Sequence, residues 1–198
     1  MRNAAAREVT WLNERVADPE QRILDRIARG ERDALGELYA RFQAPLFRYL
    51  VQLIGDPGLA EEVLQDTLVA VWQGAASFAG RSSVQTWLIG IARRQAHNHR
   101  RRRALPLAGE SELEVLAASE PEPEDAMLAS VEREELAAAI RCLAPVHREA
   151  LTLAFVNALS YREMAVVLEV PEGTVKSRLS NAKRALRLLL DASEGVER

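Results

Sequence analysis

Lys176, Ser177, Ser180, Asn181 and Arg184 fall at steps that place them along one side of a helix, in company with Gly173, Thr174 and Arg187. That side begins with small, hydrogen-bonding residues and ends with cations. Such an order suits a helix whose early residues reach base edges in a DNA groove while the later cations sit over phosphates. From residue 172 to 190 there are five basic residues (Lys176, Arg178, Lys183, Arg184, Arg187) and one acid, Glu172, a surplus that a merely solvated face seldom needs. A second set is arranged differently. Phe78 and Trp87 flank the small-residue loop of Ala79, Gly80, Arg81, Ser82 and Ser83, and Arg93, Arg94, Arg100, Arg101, Arg102 and Arg103 follow with no Asp or Glu anywhere in 67–109. Aromatic faces that stack on unpaired bases and arginines that track a backbone are the usual division of labour for single strands. No nucleophile elbow, phosphate loop or metal set is legible, so no catalytic residue and no cofactor is assigned. His97 and His99, two apart on a helix, point in different directions and have no neighbouring Cys or His to complete a zinc site.

The elements that position the first set can be read locally. Ser160 with Glu163 is a capping box that starts a helix carrying Met164, Ala165 and Leu168 inward, and the pair Val170 and Pro171 stops it. A second helix starts at about Glu172, with Val175, Leu179, Ala182, Leu186 and Leu189 on one buried stripe. Upstream, Ile23, Leu24 and Ile27 make a short helix that Gly30 ends, with Pro19 closing the segment before it. Next comes a longer helix with Leu35, Leu38, Tyr39, Phe42, Leu46, Phe47, Leu50 and Leu53 inward, which Pro45 should kink. Gly55, Asp56, Pro57 and Gly58 read as a loop, and a third helix is expected from Ala60 to Trp72. Its inward residues are Val63, Leu64, Thr67, Leu68, Val71 and Trp72; Glu61, Glu62, Gln65, Asp66 and Gln73 lie mainly outside that stripe. Trp87, Leu88, Ile91 and Ala92 begin a fourth helix that runs into the arginines. A later unit resumes near Glu132, with Leu136, Ile140 and Leu143 inward and Leu151, Leu153, Ala154 and Phe155 packing ahead of the capping box.

With 198 residues, 48% hydrophobic and 28% charged, the chain has room for two small domains, and its low aromatic content of 5% beside abundant Ala, Leu, Arg and Glu favours an all-α fold. The boundaries expected are an extension over 1–20, a helical domain over 21–103, a linker over 104–131 and a second helical domain over 132–192. The linker follows from Pro106, Pro121 and Pro123 and from seven acids in 110–125 without a Lys or Arg, which mark it as flexible. Net charge is only −3, yet two basic surfaces separated by an acidic strip can serve two different partners. No apolar run approaches the ~20 residues of a membrane span, so no membrane insertion is expected and the cytoplasm is the expected location. The single cysteine, Cys142, between Ile140 and Leu143, reads as a small core residue.

Together these segments resemble a bacterial sigma factor of the extracytoplasmic-function (ECF) group, the promoter-recognition subunit of RNA polymerase. The marks are Ala60, Glu61, Glu62, Val63, Leu64, Gln65, Asp66 and Thr67 ahead of Val71 and Trp72; Phe78 with Thr86, Trp87 and Leu88; Ile91, Ala92, Arg93 and the arginine run; then Tyr161 to Ala165 with Gly173, Thr174, Val175, Lys176, Ser177 and Arg178. The resemblance implies that 21–103 is sigma domain 2 and 132–192 is the helix-turn-helix sigma domain 4. It implies that Glu61, Glu62, Gln65 and Asp66 grip core polymerase, and that Phe78, Gly80, Arg81, Ser82, Ser83 and Trp87, with Arg93, Arg94, Arg100 and Arg101, engage the single-stranded minus-ten element. Lys176, Ser177, Ser180 and Asn181, next to Thr174, would face bases of the duplex minus-thirty-five element while Arg178 and Arg184 hold phosphates. An anti-sigma factor and a stress-response role belong to the same expectation. In two places the sequence departs from the pattern: Glu62 stands where an aspartate is more usual, and His97, Asn98 and His99 occupy a stretch in which an aspartate is common. A conventional helix-turn-helix regulator that binds an operator is the alternative. It accounts for 159–190 but gives no reason for the Trp72 helix, the acid-free arginine region or the acidic linker.

Overall fold

The computed structural model describes residues 18–104 and 125–194, all of whose regular elements are helical. Asp18 caps the first helix, α1 (Pro19–Ala28), by accepting the Glu20 N–H. Pro19 therefore opens this helix rather than closing the segment before it, because at the first helical position its missing N–H would have had no partner anyway. Gly30, at φ +85°, supplies the left-handed turn into α2 (Arg32–Ile54). Although Pro45 lies inside α2, the helix runs unbroken through it. The third helix, α3 (Pro57–Gly74), starts earlier than expected for the same reason as α1: Asp56 accepts the Leu59 N–H and Pro57 takes the first helical position, so the turn-like residues 57 and 58 belong to the helix. A short 3₁₀ turn (Ala75–Ser77) and a loop lead to α4 (Val84–Ala104).

The second group comprises α5 (Asp125–Cys142), α6 (Pro145–Leu151) running into a π-helical turn (Thr152–Val156), α7 (Tyr161–Leu168) and α8 (Glu172–Glu194). Helix α5 begins at Asp125, ahead of the expected start near Glu132. The expected helical spacing before Pro19 and most of the acidic run lie outside the described residues. Arg148 donates through Nη2 to the carbonyls of Arg141 and Leu143, at 2.8 and 3.2 Å, and so ties α6 to the end of α5.

Leu24, Ile27, Leu38, Leu50, Val63, Val71, Leu88 and Ile89 fill the core of the first group, and Leu153, Met164, Val175, Leu179 and Ala182 that of the second. Each such Leu or Ile contributes about 1.5–3 kcal/mol through apolar area removed from water. Several inward assignments are corrected. Tyr39 is 40% exposed, Leu136 is 40% exposed, Phe155 is 67% exposed, and Cys142 faces solvent rather than the core. Phe155 sits in the π turn, whose extra residue rotates it off the stripe that α6 alone would have continued. Tyr49, by contrast, is a fully buried residue of α2.

The two groups pack directly on each other. Helix α4 lies against α7, and α2 against α6 and the π turn.

Candidate nucleic-acid interfaces

The capping box forms as expected. Glu163 N–H donates to Ser160 Oγ, and Glu163 Oε2 accepts from Ser160 N–H at 3.0 Å and from its hydroxyl at 2.8 Å. Helix α7 ends at Glu169, whose left-handed φ of +56° turns the chain into Val170 and Pro171 and sets α8 across α7. On α8 the buried stripe Val175, Leu179 and Ala182 leaves Lys176, Ser177, Ser180, Asn181, Arg184 and Arg187 exposed together, with Thr174 and Arg178 half-buried at their side. Ser177 Oγ bonds back to the Thr174 carbonyl, and Lys176 Nζ stands 6.0 Å over the Tyr161 ring. Arg184 Nη2 donates to Asn181 Oδ1 at 2.9 Å, so a cation and an amide of this face are linked.

The second set is brought to one side of α4. Phe78 and Trp87 form a tilted ring pair, 5.3 Å between centroids, at the foot of the loop; Gly80, at φ +64°, makes its turn. Arg81 is exposed, as are Arg94, Arg100 and Arg101, whereas Ser82, Ser83 and Arg93 are half-buried. Ser83 caps α4 by accepting the Thr86 N–H. Its hydroxyl also donates to Glu163 Oε1 at 2.8 Å, and the Thr86 hydroxyl donates to the same oxygen at 3.0 Å. Arg93 Nε donates at 2.8 Å to Glu149 Oε1, which also accepts from the Tyr49 hydroxyl at 2.9 Å. Burial, with Glu149 beside it, pushes the Tyr49 phenol well above its ordinary value, so it is a fixed donor. Burial alone would raise the Glu163 carboxyl, but the bonds from Ser160, Ser83 and Thr86 outweigh it and hold it below its ordinary value. A cleft of about 370 Å³ remains between α4 and α7, lined by Trp87, Arg94, His97, Asn98, Val166 and Glu169. Burial and the nearby Arg93 cation hold the His97 imidazole below its ordinary value.

On α3, Glu61, Glu62 and Gln65 are exposed. Glu61 and Gln65 rim a groove of about 490 Å³ whose other walls are Tyr39, Phe47, Leu64 and Leu68. Asp66 differs from them, because His99 Nε2 lies 2.7 Å from its Oδ2. The acid-free helix thus takes its carboxylate from α3. Among the described residues no group of three or more His, Cys, Asp or Glu could hold a metal ion, and no helix is long and apolar enough to cross a membrane.

Known proteins match both halves. The Sigma-70 region 2 family covers residues 38–105 and the Sigma-70 region 4 family covers residues 133–186. The ECF RNA polymerase sigma factor SigK of Mycobacterium ulcerans (strain Agy99) is 31% identical over 182 residues, which is 89% of this chain and 96% of that protein. The chain belongs to the sigma-70 family, in its ECF group. This sigma factor is also 33% identical over 172 residues to the ECF RNA polymerase sigma factor BldN of Streptomyces coelicolor, over 85% of its own length and 64% of the relative. Among solved structures, CnrH in complex with the cytosolic domain of CnrY aligns with a TM-score of 0.66 at 25% identity, over 88% of this chain and 99% of that one. The family consists of transcription initiation factors rather than enzymes, and this chain is one. An operator-binding regulator would leave the match over residues 38–105 unexplained.

In this sigma factor the groups with no sequence signal are Tyr49, Gln85, Glu149 and Asn157, and the bond of Thr86 to Glu163 is likewise visible only in the structure. Gln85 Nε2 donates to the Asn157 carbonyl at 2.8 Å, and Asn157 Nδ2 donates to the Pro45 carbonyl at 3.2 Å. Their partners lie 72 to 112 residues away in the chain, beyond the reach of any local pattern. Glu163 did give a signal, but the capping box explained it completely.

Proposed function

We propose that the chain recruits core RNA polymerase through the exposed acids of α3, reads duplex minus-thirty-five DNA with α8, and holds the unpaired minus-ten strand with the loop and face of α4. The observation that carries this reading is the division of α8 into a buried apolar stripe and an exposed face that is polar at its start and cationic further on. Lys176, Ser177, Ser180 and Asn181 face bases in this scheme, and Arg178 and Arg184 phosphates. Glu61, Glu62 and Gln65, which a phosphate backbone would repel or ignore, make the polymerase contact, and Asp66 supports it while tied to His99. The protein acts in the cytoplasm, and an anti-sigma factor is its regulatory partner; the aligned CnrH structure is itself a complex with the cytosolic domain of CnrY.

Run-off transcription with purified core polymerase on fragments of the source genome tests the reading. Discrete transcripts that need both core and this chain are the expected result, and their absence on every fragment would refute it. Glu61→Lys with Glu62→Lys should abolish association with core while the helical circular dichroism is unchanged.

A further inference from the structure

Two residues of the proposed strand face, Ser83 and Arg93, are already occupied, together with their neighbour Thr86, by carboxylates of the same chain, while Arg81, Arg94, Arg100 and Arg101 stay exposed. Glu163 divides its work: Oε2 closes the capping box on Ser160, while Oε1 takes the hydroxyls of Ser83 and Thr86 from the opposite domain. Glu149 is 9% exposed and binds Arg93 and Tyr49 with one oxygen. A phosphate that approached Arg93 and these hydroxyls would meet two negative charges there. We propose that Glu149 and Glu163 are internal stand-ins for the nucleic-acid backbone: in the free chain they hold the second domain over the α4 face, and the minus-ten strand binds only after the domains part. The proposal rests on the assignment of that face to the strand.

The chemistry suits a separable contact rather than a permanent one. Its polar members are one ion pair, three hydrogen bonds from hydroxyls to the same two carboxylates and two neutral amide bonds; once exposed, the carboxylates can be solvated and the donors taken over by DNA. Apolar side chains of both groups also join in one hydrophobic cluster, so the polar contacts are the part of this surface that DNA can replace. Asn157 Oδ1 is buried at the same contact with no partner among the described residues, a cost that opening would relieve.

The test uses the full chain with Glu149→Gln and Glu163→Gln combined. Glutamine at 163 preserves a capping box, so α7 keeps its start. Small-angle scattering should show a larger radius of gyration than wild type, and a labelled single strand carrying the non-template minus-ten sequence should bind about tenfold tighter or more, since the competent fraction is no longer rationed. An unchanged radius and unchanged strand affinity in a folded double variant would overturn the proposal, and so would opening without any gain in strand affinity. A second arm bridges Asn98→Cys and Val166→Cys, which line the same cleft, with a short cleavable cross-linker in a Cys142→Ser background. The bridged protein should lose strand binding and open-complex formation and regain both on cleavage; normal promoter opening while bridged would overturn the proposal. If the wild-type chain gave no run-off transcript at all, the initiation reading would fail instead, and the scattering arm would still decide whether the two carboxylates hold the domains together.

Discussion

Helices α8 and α4 carry the two candidate DNA faces, and they present them in opposite ways. On α8 the face is open: Lys176, Ser180 and Asn181 are exposed, and apart from the links of Arg184 to Asn181, Ser177 to Thr174 and Lys176 to the Tyr161 ring, its order follows from the spacing of its own apolar stripe. On α4 and just ahead of it, Ser83, Thr86 and Arg93 are instead spent on Glu149 and Glu163 from the other half of the chain, while Arg94, Arg100 and Arg101 stay exposed. A face built by one helix is fixed by local sequence, whereas the availability of a face depends on whatever packs over it.

The largest contrast can be made inside α8 with neighbouring residues. Leu179 is 4% exposed and Ser180 is open to solvent. Leu179→Ala should cost about 3 kcal/mol in chemical denaturation, because it leaves a cavity under the helix. Ser180→Ala should leave that midpoint alone and instead shift preference among minus-thirty-five bases by about 1–3 kcal/mol, read by competition binding. Equal effects of the two on stability would show that the helix is rotated from its described setting.

On α4, Ser83→Ala removes both a cap of the helix and a donor to Glu163, and should destabilise the chain by about 1 kcal/mol, seen as a lower thermal midpoint. In the alanine scan of α8 no polar residue of the open face should cost as much. Arg184→Ala should weaken all DNA sequences alike and lower the salt slope by about one. Because its guanidinium holds Asn181, the double variant with Asn181→Ala should lose less than the sum of the single losses.

The smallest effect is one of pH. Glu163 is held below its ordinary value in the folded chain, so its contribution is fully present above the unfolded value and is lost as pH falls through the lower folded one. Scattering should therefore report an unchanged domain arrangement from neutrality down to the ordinary glutamate range. Opening should set in only below it, and Glu163→Gln should flatten that dependence.

What could be read from sequence divides along the same line. The capping box at Ser160, the stripe from Val175 to Ala182 and the break at Pro171 are consequences of short-range geometry, and they stand in the structure as expected. Two helix starts differ from the expected ones: Pro19 reads as the close of a segment and Pro57 as part of a turn, yet in both the preceding aspartate caps the helix and makes proline its opening residue. Phe155 and Tyr39 were placed inward by period alone; a π turn moved one, and the other lies on the rim of an open groove. Tyr49 and Glu149 give no local signal, since they meet each other across 100 residues of chain and Glu149 meets Arg93 across 56.

Arg148 and Glu149 are consecutive, yet they grip in opposite directions: Arg148 holds the carbonyls that end α5, and Glu149 holds Tyr49 and Arg93 of the other domain. Mechanically, α6 is a short lever with both loads applied at adjacent points. Tension along α5, the helix that receives the chain as it leaves the first domain, would reach the buried carboxylate with almost no slack. A pull on α5 and a loss of the Arg93 contact would thereby be geared together.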